Sequence, residues 1–126
     1  MKSRIINPVP ETIILYKTEE FSNGIKRIAD KLGISIIEAA ADQAGETVGF
    51  LAGFNGFSSN GSKEECDNSC MIFSAISGKK LDTVLAEMRK AEISVPYKAV
   101  ITASNQSWSL KKLAAELVKE REKLGG

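Results

Sequence analysis

The chain reads as an α/β protein, and two observations predict this. Short apolar, β-branched runs alternate with segments of helical hydrophobic spacing, and the alternation occurs four times along 126 residues. The order is therefore (βα)4. Strands joined through helices imply parallel crossovers, and strands apolar on both sides suit a sheet covered on both faces. The expected architecture is a three-layer sandwich around a four-stranded, mainly parallel sheet. The alternative is a ferredoxin-like α+β fold, which needs antiparallel pairing, and no two-residue hairpin turn is visible.

Each element has its own signal. After a lead punctuated by Pro8 and Pro10, Thr12-Ile13-Ile14-Leu15-Tyr16 is too short for a helix and reads as a buried strand. Phe21, Ile25, Ile28, Ala29 and Leu32 recur three and four apart with charges between them, a helix stopped by Gly33. Residues 34–39 form the second strand candidate. Asp42 is placed to cap a short helix through Val48, Phe50 and Leu51, although Gly45 and Gly49 weaken helical propensity there. Residues 53–70, rich in Gly, Ser and Asn, read as a long polar loop, a length that is usually functional or disordered.

The second half is cleaner. Met71–Ile76 is a strand, and Ser77-Gly78 leads into a helix with Leu81, Val84, Leu85 and Met88 facing inward. Pro96 forbids its continuation. Residues 98–102 are the fourth strand. Ser107 or Ser109 caps a last helix with Leu110, Leu113, Ala114, Leu117, Val118 and Leu124 inward. No internal repeat and no separating linker are visible, so residues 1–126 are expected to form a single domain with residues 1–10 as its lead.

Composition limits the function. With 43% hydrophobic and 26% charged residues the chain is an ordinary globular one. Seventeen basic against sixteen acidic residues argue against a dedicated nucleic-acid binder, which needs a basic excess to displace counterions. No apolar run approaches the roughly 20 residues of a membrane span, and the start lacks the apolar core of a signal peptide. A cytoplasmic location follows as the expectation, with Cys66 and Cys70 reduced. Histidine is absent, which removes Ser-His-Asp and Cys-His catalysis and every imidazole metal site. No catalytic residue is assigned and no cofactor is identified; an enzyme here would rely on Lys98 or a carboxylate together with a cofactor.

In open parallel sheets, ligands bind beyond the carboxyl ends of the strands. The richest such end is Thr102-Ala103-Ser104-Asn105-Gln106-Ser107-Trp108, polar and just before a helix N-terminus. A ligand or partner site made of Lys98, Thr102, Asn105 and Trp108 is one reading. Capping and turn chemistry, with Trp108 stapling the turn to the core, is the other. Ser77-Gly78-Lys79-Lys80 precedes a helix but lacks the full phosphate-loop pattern. Glu19, Glu38 and Asp42 lie near strand ends without forming an identifiable pair. Cys66 and Cys70 stand four apart among Glu64, Glu65 and Asp67, a setting that opposes a reactive thiolate. A redox sensor, a metal site shared within a homodimer and incidental thiols all stay open. Phe50, Leu51, Phe54 and Phe57 form either a dimer patch or core beneath the loop.

The stretch Lys98-Ala99-Val100-Ile101-Thr102, followed by Asn105 and Trp108, resembles the K-A-V-x-T-x-x-N-x-x-W signature of bacterial domains of unknown function numbered 3783. The strand and helix over residues 71–91 fit the same family, and the resemblance covers mainly residues 71–124. It implies a small bacterial protein and marks Lys98, Thr102, Asn105 and Trp108, with no activity attached. The Cys66–Cys70 loop lies outside the signature. The function expected is thus a small cytosolic binding or regulatory module; a thiol-based protein and a cofactor-dependent enzyme remain as alternatives.

Overall fold

The computed structural model describes residues 10–125, with side chains to Lys123; the lead with Pro8 and the inward placing of Leu124 fall outside the described residues. Four strands alternate with four helices: β1 (Thr12–Tyr16), α1 (Ser22–Leu32), β2 (Ser35–Ala39), α2 (Val48–Leu51), β3 (Cys70–Ser74), α3 (Gly78–Lys90), β4 (Tyr97–Val100) and α4 (Leu110–Gly125). All five residues of β1 and all five of β3 are buried. These two strands occupy the middle of one sheet of order β2-β1-β3-β4. That position explains their unbroken apolar runs, since both faces of a central strand are covered.

The sheet is mixed, which corrects the mainly parallel arrangement expected. β1 runs parallel to β2 and β3 parallel to β4, but β1 and β3 are antiparallel. The physical reason lies in the connections. A single helix returning to the same sheet enforces parallel strands, and this holds within β1-α1-β2 and within β3-α3-β4. Between β2 and β3 the chain instead passes through one helical turn and an irregular stretch, which leaves the direction free. Antiparallel pairing, which the ferredoxin-like alternative requires throughout, occurs only between β1 and β3.

Side chains alternate between two cores. Ile13, Leu15, Met71 and Phe73 face α1 and α3 together with Ile25, Ile28, Val84 and Met88. Ile14, Tyr16, Cys70 and Ile72 face the other way, against Val48 and Leu51 of α2 and Leu110, Leu113 and Ala114 of α4.

The two halves are related by an approximate two-fold axis normal to the sheet, passing where Ile14 faces Ile72. Rotation about such an axis reverses strand direction but keeps the hand of each crossover, so α1 and α3 land on the same face. The correspondence reaches individual hydrogen bonds. Lys17 and Ala75, just after β1 and β3, both adopt positive φ, 55° and 61°. α1 ends with Gly33 at φ 71° and Ile34 N–H donating to Ala29 O; α3 ends with Glu92 at φ 59° and Ile93 N–H donating to Met88 O, both at 2.9 Å. After β2, Ala40 N–H donates to Gln43 Oε1 at 2.8 Å; after β4, Thr102 N–H donates to Asn105 Oδ1 at the same distance.

The helices on the second face obey the same axis. Thr47 Oγ1 caps α2 by accepting from Phe50 N–H, and Ser109 Oγ caps α4 by accepting from Lys112 N–H, each at 3.1 Å. Thr47 and Ser109 pair as an antiparallel bridge. Around them, Val48 N–H donates to Trp108 O and Leu110 N–H to Glu46 O, both 3.0 Å. Gly49 N–H donates to Gln106 O and Lys111 N–H to Ala44 O, both 2.8 Å. An internal structural repeat is therefore present where none was expected. The repeat preserves buried positions and cap geometry, while few residues match; Leu51 with Leu113 and Ala52 with Ala114 are two that do.

The halves part at Ala52. α4 continues, whereas α2 stops after one turn and Gly53 and Gly56, at φ 82° and 88°, redirect the chain. The stretch to Ser69 then lies over the first half. Phe57 packs on Gly49, where a Cβ would stand 3.1 Å from its ring and 2.8 Å from Gln106 O. Ala44 N–H donates to Glu64 O, and Gln43 bridges to Glu64.

Candidate binding surface

Because β1 and β3 are antiparallel, the carboxyl ends of β1 and β2 leave one end of the sheet and those of β3 and β4 leave the other. The residues expected to share one crevice are divided accordingly: Lys17–Glu19 and Ala40–Asp42 at one end, Ala75–Lys80 and Thr102 at the opposite one. Within the β3–β4 end, Ser77 caps α3 through Lys80 N–H at 3.2 Å, and Lys80 Nζ is held by Glu11 at 2.6 Å. Glu38 pairs with Lys26 and Asp42 with Lys63.

Three of the four candidate ligand residues lie on one turn. Asn105 is 9% exposed. Its Oδ1 accepts from Thr102 N–H, its Nδ2 donates to Val100 O at 3.1 Å, and its own N–H donates to Thr102 Oγ1 at 3.2 Å. Trp108 is half-buried against the second core, with the Lys112 ammonium 4.7 Å from its ring centre. Lys98 is not with them. It stands on the face of β4 that α3 covers, while Tyr97 and Ala99 turn towards Trp108.

The cysteines are packed into the second core, Cys70 buried and Cys66 half-buried. Burial, with Cys66 nearby, pushes the Cys70 thiol up to about 12. Between them stands the buried Tyr16, whose hydroxyl accepts from Cys66 N–H at 3.1 Å and donates to Ala41 O at 2.6 Å. Burial also holds the Tyr16 phenol above its ordinary range. Among the described residues no three Cys, Asp or Glu side chains converge to hold a metal. Since the thiolate is the reacting form, iodoacetamide at pH 8 is expected to modify Cys66 in the folded protein and Cys70 only after unfolding. Mass spectrometry of the alkylated chain checks this, and native labelling of Cys70 would contradict it.

Glu46 is a residue that sequence reasoning missed. It is 4% exposed, and its carboxylate accepts from the Ser59 hydroxyl and from Asn60 N–H. Those donors, Ser59 foremost, hold its carboxyl below the usual range. It occupies the two-fold mate of Trp108 and fastens the long loop to the first half.

An open apolar feature lies between α3 and β4. A hollow of about 190 Å³ is lined by Phe73, Leu81, Leu85, Lys98, Ala99 and Val100. A second, of about 220 Å³, adjoins it through Leu85 and Lys98 and adds Met88, Arg89, Ile93 and Ser94. Val100, 42% exposed, is the exposed large hydrophobic residue of the described chain. Lys98 Nζ donates to Val95 O at 2.7 Å, and burial, then Arg121, lowers its pKa.

The first half provides a control on this surface. Val84 and Ile25 are equivalent, both fully buried on their helices, so Lys26 stands where Leu85 does. Ser35 and Tyr97 each face the first residue of a central strand, so Ile36 stands for Lys98 and Glu38 for Val100. There Lys26 Nζ and Glu38 Oε2 close the surface with an ion pair at 3.0 Å over Ile36. The second half inverts the polarity, placing aliphatic Leu85 and Val100 where the ion pair stands and the exposed Lys98 where Ile36 does.

Residues 69–124 match the family described as Domain of unknown function (DUF3783). No curated protein and no solved structure matches the chain. The DUF3783 segment begins one residue before β3 and ends within α4, so it spans one of the two geometric repeats, the one that carries the open hollow. The sequence signature led to its turn but not to its groove. Leu81 and Leu85 carry the same spacing as Val84 and Met88 and, as expected, pack against the first core, but they are half-buried where Val84 and Met88 are buried. The available signal was the alternation of β4, which puts Lys98 and Val100 on one side of an edge strand.

Proposed function

We propose that the chain is a non-catalytic binding module that engages a macromolecular partner through the groove between α3 and the outer edge of β4. The observation that carries this reading is the contrast between repeats. The same backbone closes the equivalent surface with Lys26 and Glu38, so the fold itself does not require a half-buried Leu85 and an exposed Val100 there. Apolar side chains left open beside a lysine favour association. The turn from Thr102 to Trp108 enters as support, holding the end of β4 in place. Two free thiols accord with a cytosolic protein, and no helix among the described residues is long and apolar enough to cross a membrane.

The test transplants one repeat's rim onto the other. The double variant Leu85→Lys/Val100→Glu is expected to fold at a cost of about 1–2 kcal/mol, because Leu85 is half-buried against the first core. A photo-crosslinking residue at position 100 is expected to give a defined adduct in the source cells, one that is absent when it stands at position 38 and lost when Leu85→Lys is added. Equal adducts from positions 100 and 38 overturn the assignment.

A further inference from the structure

Resting on that reading, we infer that the partner presents an extended segment with alternating aliphatic and acidic side chains, which adds as a strand to the outer edge of β4. Three observations select this chemistry. β4 ends the sheet, with no strand on its outer side among the described residues, so the outward N–H and C=O of Lys98 and the N–H of Val100 can pair with an extended chain, while Val100 O is held by Asn105 Nδ2. In such strand addition the main chain supplies affinity and every second side chain supplies selectivity. Those alternate side chains would enter the two hollows beside Lys98, one apolar at Leu81 and Val100 and one carrying Arg89.

Charge decides between the occupants. Among the described residues seven cations have no carboxylate partner, Arg27, Lys79, Arg89, Lys98, Lys112, Arg121 and Lys123, and three of them, Arg89, Lys98 and Arg121, stand together around the groove. A carboxylate reaching Lys98 is therefore matched in charge. A second copy pairing β4 to β4 about a two-fold axis would set Lys98 and Arg89 on both sides of the joint, like charge against like. Residues 1–9 of the same chain carry Lys2 and Arg4 and no carboxylate, which is again the wrong sign.

The experiment uses the full-length isotope-labelled chain and three capped peptides. In the first, valine and glutamate alternate with threonine so that both lie on one face of the strand; the others carry lysine or glutamine for glutamate. The acidic peptide is expected to shift the amide resonances of Lys98, Ala99 and Val100 and to bind about tenfold or more tightly than the lysine peptide. Lys98→Glu is expected to reverse that order. No shift from the acidic peptide at about 1 mM, a concentration matching very weak affinity, overturns the inference. So does equal binding of all three peptides, although an effect confined to the groove then leaves the reading of the surface intact. If Leu85→Lys/Val100→Glu binds the acidic peptide as the parent does, the groove reading itself fails. A shift of the dimer fraction with concentration, centred on β4, assigns the edge to a second copy and overturns the inference.

Discussion

Ile14→Ala and Ile72→Ala are each expected to lower stability by about 3–4 kcal/mol, within the range for a buried isoleucine cut to alanine. Both side chains are essentially inaccessible, at 0% and 1% exposure, and they face each other across the β1–β3 pair where the two-fold axis passes. The lost transfer free energy and the cavity left behind both contribute, and the flanking Val48 and Leu110 are held by caps and cannot collapse into the space. Equivalence is the sharper part of the expectation. If the halves are mates in packing as well as in path, the two losses agree to within a few tenths of a kcal/mol. The double variant should cost less than their sum, because the two cavities merge. Urea titrations of the three variants measure all of this. Losses differing by more than about 1.5 kcal/mol, well outside the usual scatter for independent sites, would show one half to be the core and the other an addition.

How much of this was legible in the sequence depends on which physical signal each feature leaves. Central strands advertise themselves: Thr12–Tyr16 and Met71–Phe73 are apolar on both faces, so their existence and burial follow from composition. Helix ends were legible for the same local reason, as with Gly33, whose φ of 71° suits a residue without a Cβ. Strand direction leaves no local trace. The antiparallel meeting of β1 and β3 depends on where the stretch from Gly53 to Ser69 returns, and a polar loop says nothing about that. The short helix ends where expected, at Leu51, but it begins only at Val48 behind the cap Thr47 and not after Asp42.

The repeat was hidden because its conserved quantities are geometric. Ala40 with Gln43 and Thr102 with Asn105 make the same hydrogen bond with different residues, and Gly33 and Glu92 make the same left-handed helix end with different side chains. The groove was hidden by a related ambiguity. Four apolar residues at helical spacing on α3 describe a stripe, and a stripe does not state whether the strand below is wide enough to cover it. β4 is a four-residue edge strand, so Leu81 and Leu85 stay half-buried at the margin of the first core. Only comparison with α1, where Lys26 replaces Leu85, shows that this margin is a choice of residues and not a demand of the backbone.

Asn105→Ala is expected to cost about 1–2 kcal/mol, the loss of the hydrogen bonds made by a buried side chain, while Gln43→Ala at the mate position costs less than about 0.5 kcal/mol, as surface changes do. The two side chains accept equivalent hydrogen bonds, but only Asn105 is buried and only it also donates to Val100 O. Removing it leaves Thr102 N–H and Val100 O without their partners. Asn105→Asp keeps the acceptor for Thr102 N–H but sets a carboxylate oxygen against the Val100 carbonyl, so it should recover little of the loss. A ligand-binding asparagine would behave differently, since its removal would leave stability unchanged and abolish binding alone. The structure favours the first outcome because every polar atom of this side chain is already engaged by the turn. Val100 O lies on the groove's own strand, so Asn105→Ala should also weaken the acidic peptide in step with the loss of stability. Thermal melts and peptide titrations on one set of variants compare the two effects. Weakened binding at unchanged melting temperature would move Asn105 from the scaffold of the groove into contact with its occupant.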